Sequence, residues 1–146
     1  MKTYITFISL LLLLLSCSSK YDGDEVFRAL SPAGNAEAIL IETNGGATTS
    51  YGYIVYLKST ANKNSKIEVA NFYGAVRSNS AYGVNIKWLS GTELQIEYLE
   101  AKSAKILTPS IELENINYKV TLKSGIEDVS APSGGMFYSL QGRPSD

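Results

Sequence analysis

Beyond Val26, apolar and polar residues alternate with a period of two, not the three-to-four spacing of an amphipathic helix. The clearest stretch runs from Val84 to Tyr98. Val84, Ile86 and Trp88 alternate with Asn85 and Lys87; after Ser90-Gly91-Thr92, Leu94, Ile96 and Tyr98 alternate with Gln95 and Glu97. This predicts a β-hairpin with one buried face, pairing Trp88 with Leu94, Ile86 with Ile96 and Val84 with Tyr98. A slip of one residue would bury Lys87 and Glu97, so the pattern specifies its own register.

The same reading places other strands. Val26 to Leu30 is the first, followed by a turn at Ser31-Pro32-Ala33-Gly34-Asn35 with proline second and glycine fourth. Glu37 to Thr43 is apolar on both faces, which suits a central strand. Asn44 to Ser50 is a loop. Tyr51 to Lys58 carries Tyr51, Tyr53, Val55 and Leu57 on one face. After a polar loop, Lys66 to Tyr73 is a further strand, and Gly74 to Gly83 is irregular. Lys105 to Leu107 is a short strand ahead of Pro109. Ile116 to Leu122 presents Ile116, Tyr118, Val120 and Leu122 together. Gly125 to Gly135 reads as a linker, Met136 to Leu140 as a final edge strand, and the end beyond about residue 141 as frayed. About eight strands joined by mostly short turns predict an all-β domain: a single antiparallel β-sandwich, curved sheet or small barrel.

The first residues break this pattern. Lys2 is followed by an apolar stretch from Tyr4 to Leu15, then Ser16 and Cys17, the only cysteine. The stretch is short of the roughly 20 residues a bilayer span requires. It looks like a lipoprotein signal peptide over residues 1–16, with Cys17 the acylated first residue of the mature chain; the alternative is an ordinary secretory signal. Each buried methylene of an acyl chain contributes about 0.8 kcal/mol, so two chains would hold the protein in the membrane almost permanently. Residues 17–25 then read as an acidic flexible tether, and 26–146 as the β domain. Ser18 to Glu25 resembles the lysine-and-acid segment behind the lipid cysteine of surface-exposed lipoproteins of the Bacteroidetes. The expected location is the cell envelope, at the outer membrane or cell surface rather than the inner membrane. The expected partners are the lipid bilayer, through Cys17, and an envelope protein or saccharide.

Composition narrows the chemistry. The 146-residue chain has 13 basic and 14 acidic side chains and no histidine. A near-neutral chain lacks the basic surface that nucleic acid requires, and the Lys58, Lys63 and Lys66 group reads as a solvated turn. Without imidazole there is no Ser-His-Asp or Cys-His catalysis and no histidine-built zinc site. With its one cysteine acylated the chain can form no internal disulfide, and a domain of this length needs none.

The run Ser31 to Leu40, followed by Gly45-Gly46-Ala47-Thr48-Thr49-Ser50 and Tyr51 to Val55, resembles a family of uncharacterised bacterial envelope proteins. Its members carry an S-P-D-G turn, a strand, and a G-G-A-T-T-S segment leading into a second strand. The Val84 to Tyr98 hairpin fits that family's later half. Ala33 stands where the family usually has aspartate, so the turn's role is geometric. The resemblance implies a fold type and an envelope location, and no chemistry. Ser-Pro-x-Gly before an apolar strand also resembles the opening of β-propeller blades, but one or two such units cannot close a propeller.

Three groups could carry a site. Gly45 to Ser50 offers backbone N–H groups and the hydroxyls of Thr48, Thr49 and Ser50 to an anion or sugar, or is a hairpin connection whose hydroxyls satisfy the turn. Tyr73 and Tyr82, with Arg77 between them, could line a saccharide or peptide groove, or be ordinary half-buried sheet tyrosines. The pairs Glu93/Glu97 and Glu112/Glu114 each share a strand face, but acid/base work needs one desolvated carboxyl, and these read as surface charge. No cofactor, metal or catalytic residue is expected. The expected function is a non-catalytic interaction or ligand-binding module anchored to the membrane. The alternatives are a structural accessory docking through a sheet edge and, less favoured, a carboxylate hydrolase.

Overall fold

The computed structural model describes residues 23–62, 66–78, 80–81 and 83–129. The expected signal peptide over residues 1–16, Cys17, Lys63, Tyr82 and the expected strand at Met136 to Leu140 lie outside them. Within them nine strands form two sheets: β1 Gly23–Leu30, β2 Ala36–Asn44, β3 Tyr51–Ser59, β4 Lys66–Tyr73, β5 Val84–Trp88, β6 Glu93–Tyr98, β7 Ser103–Ile106, β8 Ser110–Leu113 and β9 Ile116–Lys123. One sheet has the order β1-β2-β3-β4-β7 and the other β5-β6-β9-β8. The all-β expectation thus takes its sandwich form and not that of a closed barrel.

The first four strands form an antiparallel meander, as their short connections dictate. The β1–β2 turn closes with the Gly34 amide donating to the Ser31 carbonyl at 2.8 Å, and Gly34 has a φ of 77° that a side chain would resist. β2 lies between β1 and β3, as its two apolar faces predict. Ala36, Ala38 and Leu40 point into the core with Tyr53, Val55 and Leu57 of β3. Ile39 and Ile54 stand on the other face and are also buried. There an ion chain links three strands: Arg28 bonds Glu25 at 2.8 Å and Glu37 at 2.9 Å, and Lys58 meets Glu37 at 2.8 Å. Lys66 lies 4.0 Å over the Tyr56 ring. The lysine and arginine stems cover apolar surface while their charged heads stay paired.

The second sheet supplies Val84, Ile86, Leu94, Ile96, Ile111, Leu113, Tyr118 and Val120 to the same core. The hairpin pairs Trp88 with Leu94, Ile86 with Ile96 and Val84 with Tyr98, in the register its alternation demands. Burial of each large aliphatic side chain contributes roughly 1.5–3 kcal/mol. Two contacts join the sheets at the β1–β2 turn. Trp88 Nε1 donates to the Ala29 carbonyl at 3.1 Å, and the Tyr118 hydroxyl donates to Asn35 Oδ1 at 3.0 Å. At the opposite end Phe72 and Tyr98 meet edge to face with centroids 5.2 Å apart.

The structure corrects several expectations. Gly23, Asp24 and Glu25, expected in the tether, belong to β1, paired with Thr43, Glu42 and Ile41. Backbone bonds form this part of the ladder, so it needs no apolar run. A Cβ on Gly23 would lie 2.6 Å from Ile41 Cγ2 and 2.7 Å from the Glu42 carbonyl, so the glycine permits a close approach. The short strand expected at Lys105 to Leu107 is shifted to Ser103–Ile106, where it becomes the far edge of the first sheet. β8 had no bounds in the pattern and was implied only by the Glu112/Glu114 pair; its four residues give a weak signal, with Ile111 and Leu113 inward. Glu112 and Glu114 do not share a strand face. β8 ends at Leu113, and Glu114 and Asn115 turn the chain at φ of 49° and 63°. One ladder, β6 with β9, is parallel. The chain has length for it, because β7, in the first sheet, and β8 lie between the two strands.

A polar corner as candidate functional site

The β2–β3 loop is held by its own groups. The Gly46 amide donates to Asn44 Oδ1 at 2.9 Å. The Thr49 amide and hydroxyl both donate to the Gly46 carbonyl, at 3.1 and 3.0 Å. The Thr49 hydroxyl therefore satisfies the turn, as one of the two readings of this segment requires. Thr48 is exposed at the tip.

Ser50 leads out of the loop, and there the two separately chosen segments meet. The Ser50 amide donates to the Tyr73 hydroxyl at 3.2 Å. Lys102 completes the corner: its Nζ donates to Ser50 Oγ at 2.8 Å and lies 5.7 Å from the Tyr73 ring centroid. Gly74 makes room for it, since a Cβ there would sit 2.7 Å from Lys102 Cδ. The Tyr73 side of this corner is open to solvent, the residue being 43% exposed. The Ser50 amide and hydroxyl, with the Lys102 charge beyond, lower the pKa of the Tyr73 phenol by favouring its ionised form. Lys102 escapes sequence reasoning because it is 52 residues from Ser50 and no local pattern announces it.

Arg77 does not join this corner. Tyr73 stands on the outer face of the first sheet, whereas Arg77 turns to the core side. Its guanidinium lies 4.1 Å over the Tyr51 ring, and Nη1 is 3.5 Å from Glu42 Oε2. Glu42 is 6% exposed and follows Ala36, Ala38 and Leu40 on the inward face of β2. The arginine thus accompanies a carboxylate that the β2 register forces inward, where an unpaired charge would be costly. Tyr82 lies outside the described residues; of the expected Tyr73–Arg77–Tyr82 groove, the described part places Tyr73 and Arg77 on opposite faces of the sheet.

The carboxylate pairs face water. Glu93 lies 3.8 Å from Lys119, and Glu97 accepts from the Gln95 side chain. Among the described residues no group of three or more Cys, His, Asp or Glu side chains is arranged to hold a metal ion. No helix among them is long and apolar enough to cross a membrane.

The fold and its corner define a two-sheet, all-β sandwich with a donor-bearing end. No family model matches the chain, and neither a curated protein nor a solved structure is significantly similar to it.

Proposed function

We propose that the protein is a lipoprotein of the bacterial cell envelope, anchored by acylated Cys17, whose β-sandwich is a non-catalytic interaction module. The observation that carries the binding part is the meeting of Ser50, Tyr73 and Lys102 at one exposed corner. A tyrosine beside an ammonium on an open surface supports recognition by stacking and donated hydrogen bonds. Glu42, the buried carboxylate among the described residues, is accompanied by a guanidinium, which supports a structural role for it and so binding over hydrolysis. Docking through the β1 edge is less favoured. β1 is bulged between Glu25 and Phe27 and carries the Glu25–Arg28 ion pair, features that blunt strand addition.

The anchor is tested by palmitate labelling and cell fractionation. Cys17→Ala is expected to abolish the label and release the chain from the membrane; membrane retention of a cleaved, unlabelled chain would refute it. The module is tested by a photo-crosslinking residue in place of Thr48 in intact cells, with the same probe at Lys119 on the opposite sheet as reference. Adducts specific to the Thr48 position are expected, and equal or absent adducts at both would refute the corner.

A further inference from the structure

The topology places this corner at the same end of the sandwich as the start of β1. Gly23 pairs with Thr43, immediately before the β2–β3 loop, while β1 runs away from that end toward Leu30 and the Trp88 contact at Ala29. Five residues, Ser18 to Asp22, separate Cys17 from Gly23. At no more than about 3.6 Å per residue, even a fully extended chain keeps Gly23 within roughly 22 Å of the acylated sulfur. In an anchored protein this end of the sandwich is therefore the one nearer the point of attachment.

The chemistry of the corner suits a membrane as neighbour. Asn44 to Ser50 contains no charged side chain, so little desolvation opposes contact. Tyr73 accepts the Ser50 amide and keeps its own O–H to donate; the Lys102 ammonium spends one N–H on Ser50 and has others to give. A tyrosine ring and a lysine on an apolar stem are residues that settle at the headgroup level of a bilayer. Glu100 and Glu127 lie on the second sheet's side of the same end: the Glu100 carbonyl accepts from Val76, and the residue before Glu127 donates to Tyr98. Their charge opposes flat contact with an anionic surface and favours a zwitterionic one.

We infer that the partner of the Ser50–Tyr73–Lys102 corner is the phosphate of zwitterionic phospholipid headgroups, so that the sandwich rests on the bilayer by this corner with Trp88 at the far end. This rests on the proposed acylation and binding corner, and it names the ligand class of that corner. One β-strand of eight residues spans about 25 Å, enough to separate the two ends optically.

The test uses the full acylated chain in phosphatidylethanolamine–phosphatidylcholine vesicles containing a headgroup nitroxide. Trp88 is the only native tryptophan and serves as the distal reference; Thr48→Trp adds an indole at the loop tip. The added indole is expected to be quenched severalfold more than Trp88, Lys102→Glu should reduce that quenching, and inorganic phosphate should leave it unchanged. Equal quenching of the two indoles in a chain that floats with the vesicles would overturn the inference alone. So would quenching insensitive to Lys102→Glu, which proximity to the anchor would explain by itself, or quenching abolished by phosphate, which would assign the corner to a soluble anion. A chain that does not float would overturn the anchor and this inference with it.

Discussion

Asn35 is the most economical point at which to break the sandwich. Its Oδ1 accepts from the Tyr118 hydroxyl at 3.0 Å and the Ser31 hydroxyl at 3.2 Å, so one side-chain oxygen ties the β1–β2 turn to the opposite sheet. Tyr118 is 1% and Ser31 2% exposed, and burial holds the Tyr118 phenol above its ordinary pKa. Asn35→Ala removes two bonds and leaves the Tyr118 donor buried without its acceptor. A net hydrogen bond contributes about 1 kcal/mol and a stranded buried donor costs about 1–3, giving a loss of roughly 2–4 kcal/mol. Tyr118→Phe removes one bond and strands no acceptor, because Asn35 Oδ1 still accepts from Ser31; about 1 kcal/mol is expected. In the double mutant the stranded hydroxyl is gone, so the combined loss should fall short of the sum by about 1 kcal/mol. Urea unfolding of the chain from Ser18 onward measures this through Trp88, whose ring lies 6.1 Å from that of Tyr118. Additivity within about 0.3 kcal/mol would show that the two groups do not act on each other and would refute the proposed tie.

Two further outcomes follow from the first sheet. Hydrogen bonding from Arg28 lowers the pKa of Glu25, and that from Lys58, joined by Arg28, lowers that of Glu37. Stability from these depressed carboxylates is present above the unfolded carboxylate range and is lost as pH falls through their folded values. Arg28→Met should cost about 0.5–1 kcal/mol at neutral pH, given the exposure of the pair, and much less once the pH falls below the lowered folded values of Glu25 and Glu37, where both carboxyls are protonated; urea midpoints that shift equally in the two conditions would contradict this. Gly23→Val should drive a side chain into Ile41 and the Glu42 carbonyl, costing roughly 1–3 kcal/mol. Hydrogen exchange checks it: amides at the start of β1 should lose protection, and unchanged protection would mean the ladder there is not tight.

The hairpin shows why much of the fold is legible along the chain. Val84 to Tyr98 carries its own turn, which sets the pairing, and an alternation that a one-residue slip would invert, burying Lys87 and Glu97, so local information suffices. The same holds for β2, whose double apolar character predicts a central place, and for Tyr118 and Val120 on the inward face of β9. Glu42 resists the pattern: a carboxylate on an inward position is intelligible only beside Arg77. β8 resists for another reason, since four residues hold barely one period of alternation.

The candidate site divides along the same line. Ser50 and Tyr73 are visible as residue types in suggestive places, but their contact is made across the β3–β4 edge of a folded sheet. Lys102 is invisible until β7 brings its preceding loop beside Gly74. Alternation and turn residues act over two to five positions, so the chain by itself determined the strand class, the hairpin register and the faces that would be buried. Which strands became neighbours, the parallel β6–β9 pair and the Ser50–Tyr73–Lys102 corner depended on loop crossings between two sheets. Those are set by the packing of one shared core, a long-range interaction that no short window of residues contains.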